Sequence, residues 1–127
     1  MILDTSAVVA ILMKEPGYED LTRILVSGNA AIGTATLTET AIVLSARLHI
    51  DARPLLSRFL SEGSIAVVPF GESHYGGAVD AWLHYGKGNH PASLNFGDCL
   101  SYAVARLANE PLLFTGEDFA QTDIARP

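Results

Sequence analysis

The sequence predicts an α/β protein of one domain, spanning residues 1–127, with a short parallel β-sheet of four or five strands flanked by helices on both faces. Three observations carry this expectation. The candidate strands are brief and continuously apolar, without the polar alternation of a sheet that has one wet face. Stretches of helical periodicity separate them, in the order β-α-α-β-α-α-β-α-α-β, and such alternation marks parallel crossovers. The 127 residues are 49% hydrophobic, which suffices for a buried core and is too apolar for a disordered chain.

"MIL" at 1–3 reads as the first buried strand. Ser6 is placed as the cap of a helix running to about Met13 and stopping before Glu15-Pro16-Gly17. Leu21, Ile24 and Leu25 define a second helix, closed by Gly28. "AAIGT" at 30–34 is a strand candidate. A helix from Thr36 follows, with Leu37, Ala41, Leu44 and Leu48 on one stripe. Asp51 is expected to start the next helix and Gly63 to stop it. "SIAVVPF" at 64–70 is the clearest strand, ended by Pro69. Residues 72–86 form a helix despite Gly76 and Gly77, and "KGNHPASL" is loop. A strong helix covers 95–109, "PLLFT" at 111–115 is a strand, and Asp123-Ile124 offers one more edge pairing.

Composition narrows the function. Cys99 is the single cysteine, so an intrachain disulfide is impossible and a reducing cytoplasm is the expected location. The N-terminal apolar run lacks a basic start and is broken by Asp4, unlike a signal peptide, and no apolar stretch has the length of a membrane span. The net charge of −6 argues against a protein that coats nucleic acid by charge alone, unless bound cations supply what the chain lacks.

Four acids occupy unusual settings. Asp4 ends the first strand, where it also suits an N-cap. Glu39 lies in a Thr36-x-x-Glu39 capping box, and Asp98 falls at the third position of a helix capped by Asn95. Gly97 weakens that helix, which is understandable if something approaches the backbone closely there. Asp118 follows the last strong strand, with Glu117 beside it as an alternative. Capping or solvation explains each acid singly. Together they gather at the edge of a parallel sheet where such folds place their sites. Like charges so packed call for a cation, and an oxygen-only donor set selects a hard one, Mg²⁺ or Mn²⁺. His49, His74, His84 and His90 show no ligand spacing, "GESHYG" lacks the glycine of a nucleophile elbow, and "GKGN" lacks the spacing of a phosphate loop. Tyr75, Trp82 and Tyr85 suit a core or dimer contact better than base stacking, and Arg47, Arg53 and Arg58 are the cations available to RNA or a protein partner.

"MILDTSA", "TLTE", "NFGDCLSYAVA" and "LLFTGEDF", in this order and over essentially the whole chain, resemble the PIN-domain nucleases, and most of all the VapC-type toxins of prokaryotic toxin–antitoxin pairs. The resemblance implies a PIN domain over 1–127 and a metal-dependent endoribonuclease that hydrolyses RNA phosphodiester bonds with Mg²⁺ or Mn²⁺. It implies a cognate VapB-type antitoxin and a homodimer. It matches Asp4, Glu39, Asp98 and Asp118 to the family's catalytic and metal-holding acids, and Ser6 and Thr115 to hydroxyls that line the site, with Glu117 as substitute for Asp118. Three other readings stay open: a PIN-like nuclease for RNA processing or DNA-flap cleavage outside a toxin pair, a catalytically inactive binding module, and a receiver-type phosphoacceptor. The last wants paired acids after the first strand and a lysine after a late one, and the only lysines are Lys14 and Lys87.

Overall fold

A computed structural model describes all 127 residues. The elements are β1 (Ile2–Leu3), α1 (Thr5–Leu12), α2 (Tyr18–Val26), β2 (Ala31–Gly33), α3 (Thr34–Leu48), α4 (Arg53–Glu62), β3 (Ala66–Val68), α5 (Glu72–Tyr85), α6 (Phe96–Ala108) and β4 (Leu112–Leu113), followed by a 3-10 turn over Phe119–Gln121. The four strands form one parallel sheet in the order β3-β2-β1-β4. Ile2 sits opposite both Ala31 and Leu112, and Leu3 opposite Leu113.

Successive side chains of a strand face opposite ways, and both faces are buried. Ile2 and Leu112 join a core with Ala78 and Ala81 of α5 and Cys99, Ala103 and Val104 of α6. Leu3, Ile32 and Leu113 join a second core with Val8 of α1, Leu25 of α2, Leu44 of α3 and Leu56 of α4. This explains the unbroken apolar runs. It also fixes register, since a one-residue slip would exchange the two cores.

The chain leaves β1 toward β2 and β3, then returns to β4 on the other side. The strand order therefore reverses between β1 and β4, and a crevice beyond their carboxyl ends is where such sheets take ligands. Asp4 and Thr115 stand at that crevice.

Several expectations are corrected. The sheet has four strands, because Asp123-Ile124 forms none: the tail makes a single ladder-like bond there, from Leu112 N–H to the Ala125 carbonyl at 2.9 Å. Asp4, not Ser6, caps α1, accepting from the Ser6 N–H. The third helix begins at Thr34 behind Gly33, so Thr36 and Glu39 form no capping box, and Thr36 is buried instead. α4 starts at Arg53, with Asp51 accepting the Arg53 N–H from outside it. The segment read as the clearest strand is an edge, three residues long and largely exposed, because apolarity on an edge reflects sheet pairing more than burial.

At Gly33, β2 passes so close to α6 that a Cβ would lie 2.9 Å from Val104 Cγ2. Val104 is 1% exposed and β-branched, so it has nowhere to move. We expect Gly33→Ala to cost about 1–3 kcal/mol of stability through overpacking, read as a lowered urea midpoint at unchanged slope.

Candidate active site

Asp4 is only 4% exposed, although it carries a charge. Burying a carboxylate is costly unless it is hydrogen-bonded, and here both oxygens are. Ser101 Oγ donates to Oδ1 at 2.6 Å, while the Ser6 N–H and Oγ donate to Oδ2 at 2.9 and 2.6 Å. The position at the head of α1 adds a favourable helix dipole. Ser6 Oγ in turn accepts the Thr115 N–H at 3.1 Å, which ties the loop after β4 to β1 across the reversal point.

A hydroxyl has one proton to give, which orders the remaining network. Ser101 spends its proton on Asp4, so across the 3.1 Å contact with Thr36 Oγ1 it is Thr36 that donates. Thr5 Oγ1 donates to Glu39 Oε1 at 2.5 Å and Thr40 Oγ1 donates to the Thr36 carbonyl at 2.8 Å, so the two hydroxyls, 3.0 Å apart, each direct their proton to another acceptor. Glu39 is thus held by the residue that follows Asp4. Its carboxylate lies against the first turn of α6, where a Cβ on Gly97 would collide with Oε2 and come within 2.8 Å of Cδ. The glycine that weakens α6 is the one that admits Glu39.

Asp98 occupies the expected position. It accepts the Asn95 N–H at 3.0 Å, and Asn95 Oδ1 accepts the Asp98 N–H at 2.9 Å. Its carboxyl is pushed up to about 6, first by burial and then by the charges of Asp4, Asp118 and Glu39, against the lowering effect of the Asn95 N–H. Asp4, Glu39 and Asp98 line one cleft of about 340 Å³ with Ser6 and Thr115. Asp118 lies outside its wall, exposed at the head of the 3-10 turn, yet close enough to act on Asp98. Glu117 is likewise exposed and lies outside the wall of the cleft.

No three carboxylates, imidazoles or thiols stand close enough together to enclose an ion by themselves. The donor set nevertheless fits Mg²⁺ or Mn²⁺: all oxygen, open to water, and carrying repulsion that a cation would relieve. Mg²⁺ characteristically binds through one or two carboxylates and keeps its waters. Sequence reasoning missed Thr5, Thr40 and Ser101. Ser101 had a signal, being one helical turn beyond Asp98 on an otherwise apolar stretch.

The PIN domain family matches residues 1–125. The chain is 43% identical over 126 residues to "Ribonuclease VapC36" of Mycobacterium tuberculosis, covering 98% of this chain and 91% of that protein. It is 42% identical to "Ribonuclease VapC" of Mycolicibacterium smegmatis, covering 98% of each. Among solved structures it superposes on VapC20 of Mycobacterium tuberculosis, described as a sarcin–ricin loop cleaving toxin, with a TM-score of 0.76 at 19% identity, covering 99% of this chain and 98% of that one. It also superposes on a toxin–antitoxin complex from Klebsiella pneumoniae with a TM-score of 0.70 at 18% identity, covering 96% and 92%. The chain belongs to the PIN-domain family, and within it to the VapC ribonucleases.

A carboxyl raised to about 6 keeps its proton in the fold at pH values where the unfolded chain has lost it, so its ionisation destabilises the fold. The loss sets in as pH rises through about 4, the usual carboxylate value, and is complete above about 6. Asparagine keeps the cap acceptor and carries no charge. In metal-free buffer, the stability gained by Asp98→Asn over the native chain should therefore grow across that window and then level off. Urea midpoints across the pH range measure it. If capping dominated, the variant would instead lose up to about 1 kcal/mol at neutral pH.

Proposed function

We propose that the chain is an endoribonuclease toxin that hydrolyses RNA phosphodiester bonds at the Asp4–Glu39–Asp98 cleft with Mg²⁺ or Mn²⁺, and that a VapB-type antitoxin restrains it. The observation that carries this reading is the convergence of three acids, from the end of β1, α3 and α6, on one cleft at the sheet's reversal point, in a chain 42–43% identical over 126 residues to proteins named VapC ribonucleases.

Asp4 and Asp98 would hold the ion, since both sit at the ends of rigid elements. Glu39, anchored by Thr5, is placed to orient a water for attack on phosphorus. Asp118, on a loop, would act through water or hold a second ion. When bound, the ion neutralises phosphate charge, acidifies water and stabilises the leaving oxygen. Ser6 and Ser101 hold the Asp4 carboxylate oriented, and Gly97 gives Glu39 its place. An antitoxin could silence such a cleft with an arginine, whose fork matches carboxylates bidentately. Support for this partner comes from the fold shared with the toxin–antitoxin complex of Klebsiella pneumoniae, together with membership of the VapC ribonucleases.

The test is cleavage of total bacterial RNA by the purified chain. EDTA should abolish it and Mg²⁺ or Mn²⁺ restore it. Asp4→Asn should lower the rate at least a hundredfold, and Gly97→Ala at least tenfold with the fold intact by circular dichroism. Unimpaired cleavage in EDTA would remove the metal from the scheme, and full activity of Asp4→Asn would move the chemistry elsewhere.

For the homodimer we propose a different face. Tyr75, Val79, Trp82 and Leu83 of α5 and Phe96 of α6 are all exposed, around a groove of about 540 Å³ walled only by apolar residues. Contiguous apolar surface of this kind marks an interface. A chain of net charge −6 meets its own copy most cheaply on a face without charge, and this groove has none. Light scattering at micromolar concentration should report a dimer for the native chain and a monomer for Trp82→Glu. A dimer that survives the substitution would assign the face to another partner.

A further inference from the structure

Five of the eight basic residues are engaged away from the cleft. Arg23 pairs with Asp20, Arg58 with Glu62 and Arg106 with Asp123, all on exposed surface. Arg53 grips Asp51 through both carboxylate oxygens. Arg126 lies over the Phe114 ring, 4.4 Å from its centroid. Arg47 alone among the arginines and lysines lines the acidic cleft. It does so because α3 puts Glu39, Val43 and Arg47 on one face at intervals of four residues, all three lining the same wall. Arg47 is therefore about 12 Å along the helix axis from Glu39. There its Nη1 donates to Glu15 Oε1 at 3.0 Å, with Glu15 offered by the turn between α1 and α2. Both side chains stay half exposed, at 52% and 42%. An exposed pair of this kind is worth no more than about 1 kcal/mol, so it opens readily.

We infer that Arg47 is the residue that binds an RNA phosphate beside the scissile one, and that Glu15 occupies its guanidinium in the free protein as a stand-in for that phosphate. The inference rests on the ribonuclease reading above. A guanidinium fork matches a phosphate's oxygens as it matches a carboxylate's, and a phosphate surrounded by a strongly acidic protein has no other fixed cation in this cleft to meet. Two helical turns from Glu39, with its guanidinium turned to Glu15 and not to the three acids, Arg47 is a positioning residue. Exchange of Glu15 for RNA also returns a free carboxylate to the rim of the cleft, which opposes binding. The latch thus holds affinity down, and the two residues should act with opposite sign.

The experiment measures steady-state cleavage of total bacterial RNA, and metal-free binding of a fluorescent mixed-sequence single-stranded oligoribonucleotide across a salt series. Arg47→Ala should raise KM and Kd about tenfold with kcat within about twofold, and lower the salt slope by about 0.7, the share of one phosphate contact on a single strand. Arg47→Lys should recover part of the loss. Glu15→Gln should tighten binding severalfold. Arg53→Ala and Arg58→Ala remove the same charge away from the cleft and should leave Kd and salt slope unchanged. Equal weakening in all three alanine variants would reduce Arg47 to net charge and overturn the inference. So would an unchanged KM in Arg47→Ala, which would hand this side chain to a protein partner, or weaker RNA binding in Glu15→Gln. If the native chain cleaves no RNA, the ribonuclease reading itself fails, a result separate from any of these.

Discussion

The buried carboxylate of Asp4 is the constraint on which the rest of the structure turns. An ion at 4% exposure must be satisfied from several directions at once. Ser6 satisfies it from α1, and Ser101 reaches it from α6, 97 positions along the chain. Thr115 closes the loop after β4 onto the same serine. Three elements therefore have their mutual positions read out at one side chain. Because β1 is a central strand at which the sheet's order reverses, that side chain opens into the crevice between chain segments and not into the core.

The cleft is built against its own stability. Asp98 is held where burial and three neighbouring acids push its proton affinity up, and one backbone N–H offsets only part of that. Gly97 gives up helix propensity to admit the Glu39 carboxylate. Sites commonly concentrate such local violations, and the surrounding fold offsets them. Here the offset comes from two separate cores, one on each face of the sheet, that do not depend on the cleft. Unrelieved repulsion in the free protein is also what gives a cation, or a basic side chain from a partner, something to gain by entering.

Much of this was legible in the primary structure because it was local. The Asn95–Asp98 box is a contact across three residues, and the sequence shows it directly. The short apolar strands and the helices between them follow from periodicity alone. The same local logic misled at Thr36-x-x-Glu39. The pattern suits a capping box, but the helix starts two residues earlier at Thr34, and Thr36 turns inward to Ser101. Asp123-Ile124 misled for a related reason: a short apolar–polar pair reads as an edge strand, while the 3-10 turn ahead of it leaves room for one hydrogen bond to β4 and no more.

The sequence by itself determined the two-faced parallel sheet, the placing of acids at strand and helix ends and the oddity of Gly97, since each depends on residue type and near spacing. Tertiary structure decided what those acids touch. Nothing local predicts that Ser101 serves Asp4, that Thr5 holds Glu39, or that Gly97 is empty because Glu39 fills the space. Nor does local sequence distinguish Arg47 from Arg53 and Arg58, three arginines of similar setting, of which one alone faces the cleft. The reason is physical. Hydrogen bonds and charge interactions act over a few ångströms in space, and partners 31 to 97 positions apart are brought within that range only when the sheet closes its order and α3 and α6 settle against β1.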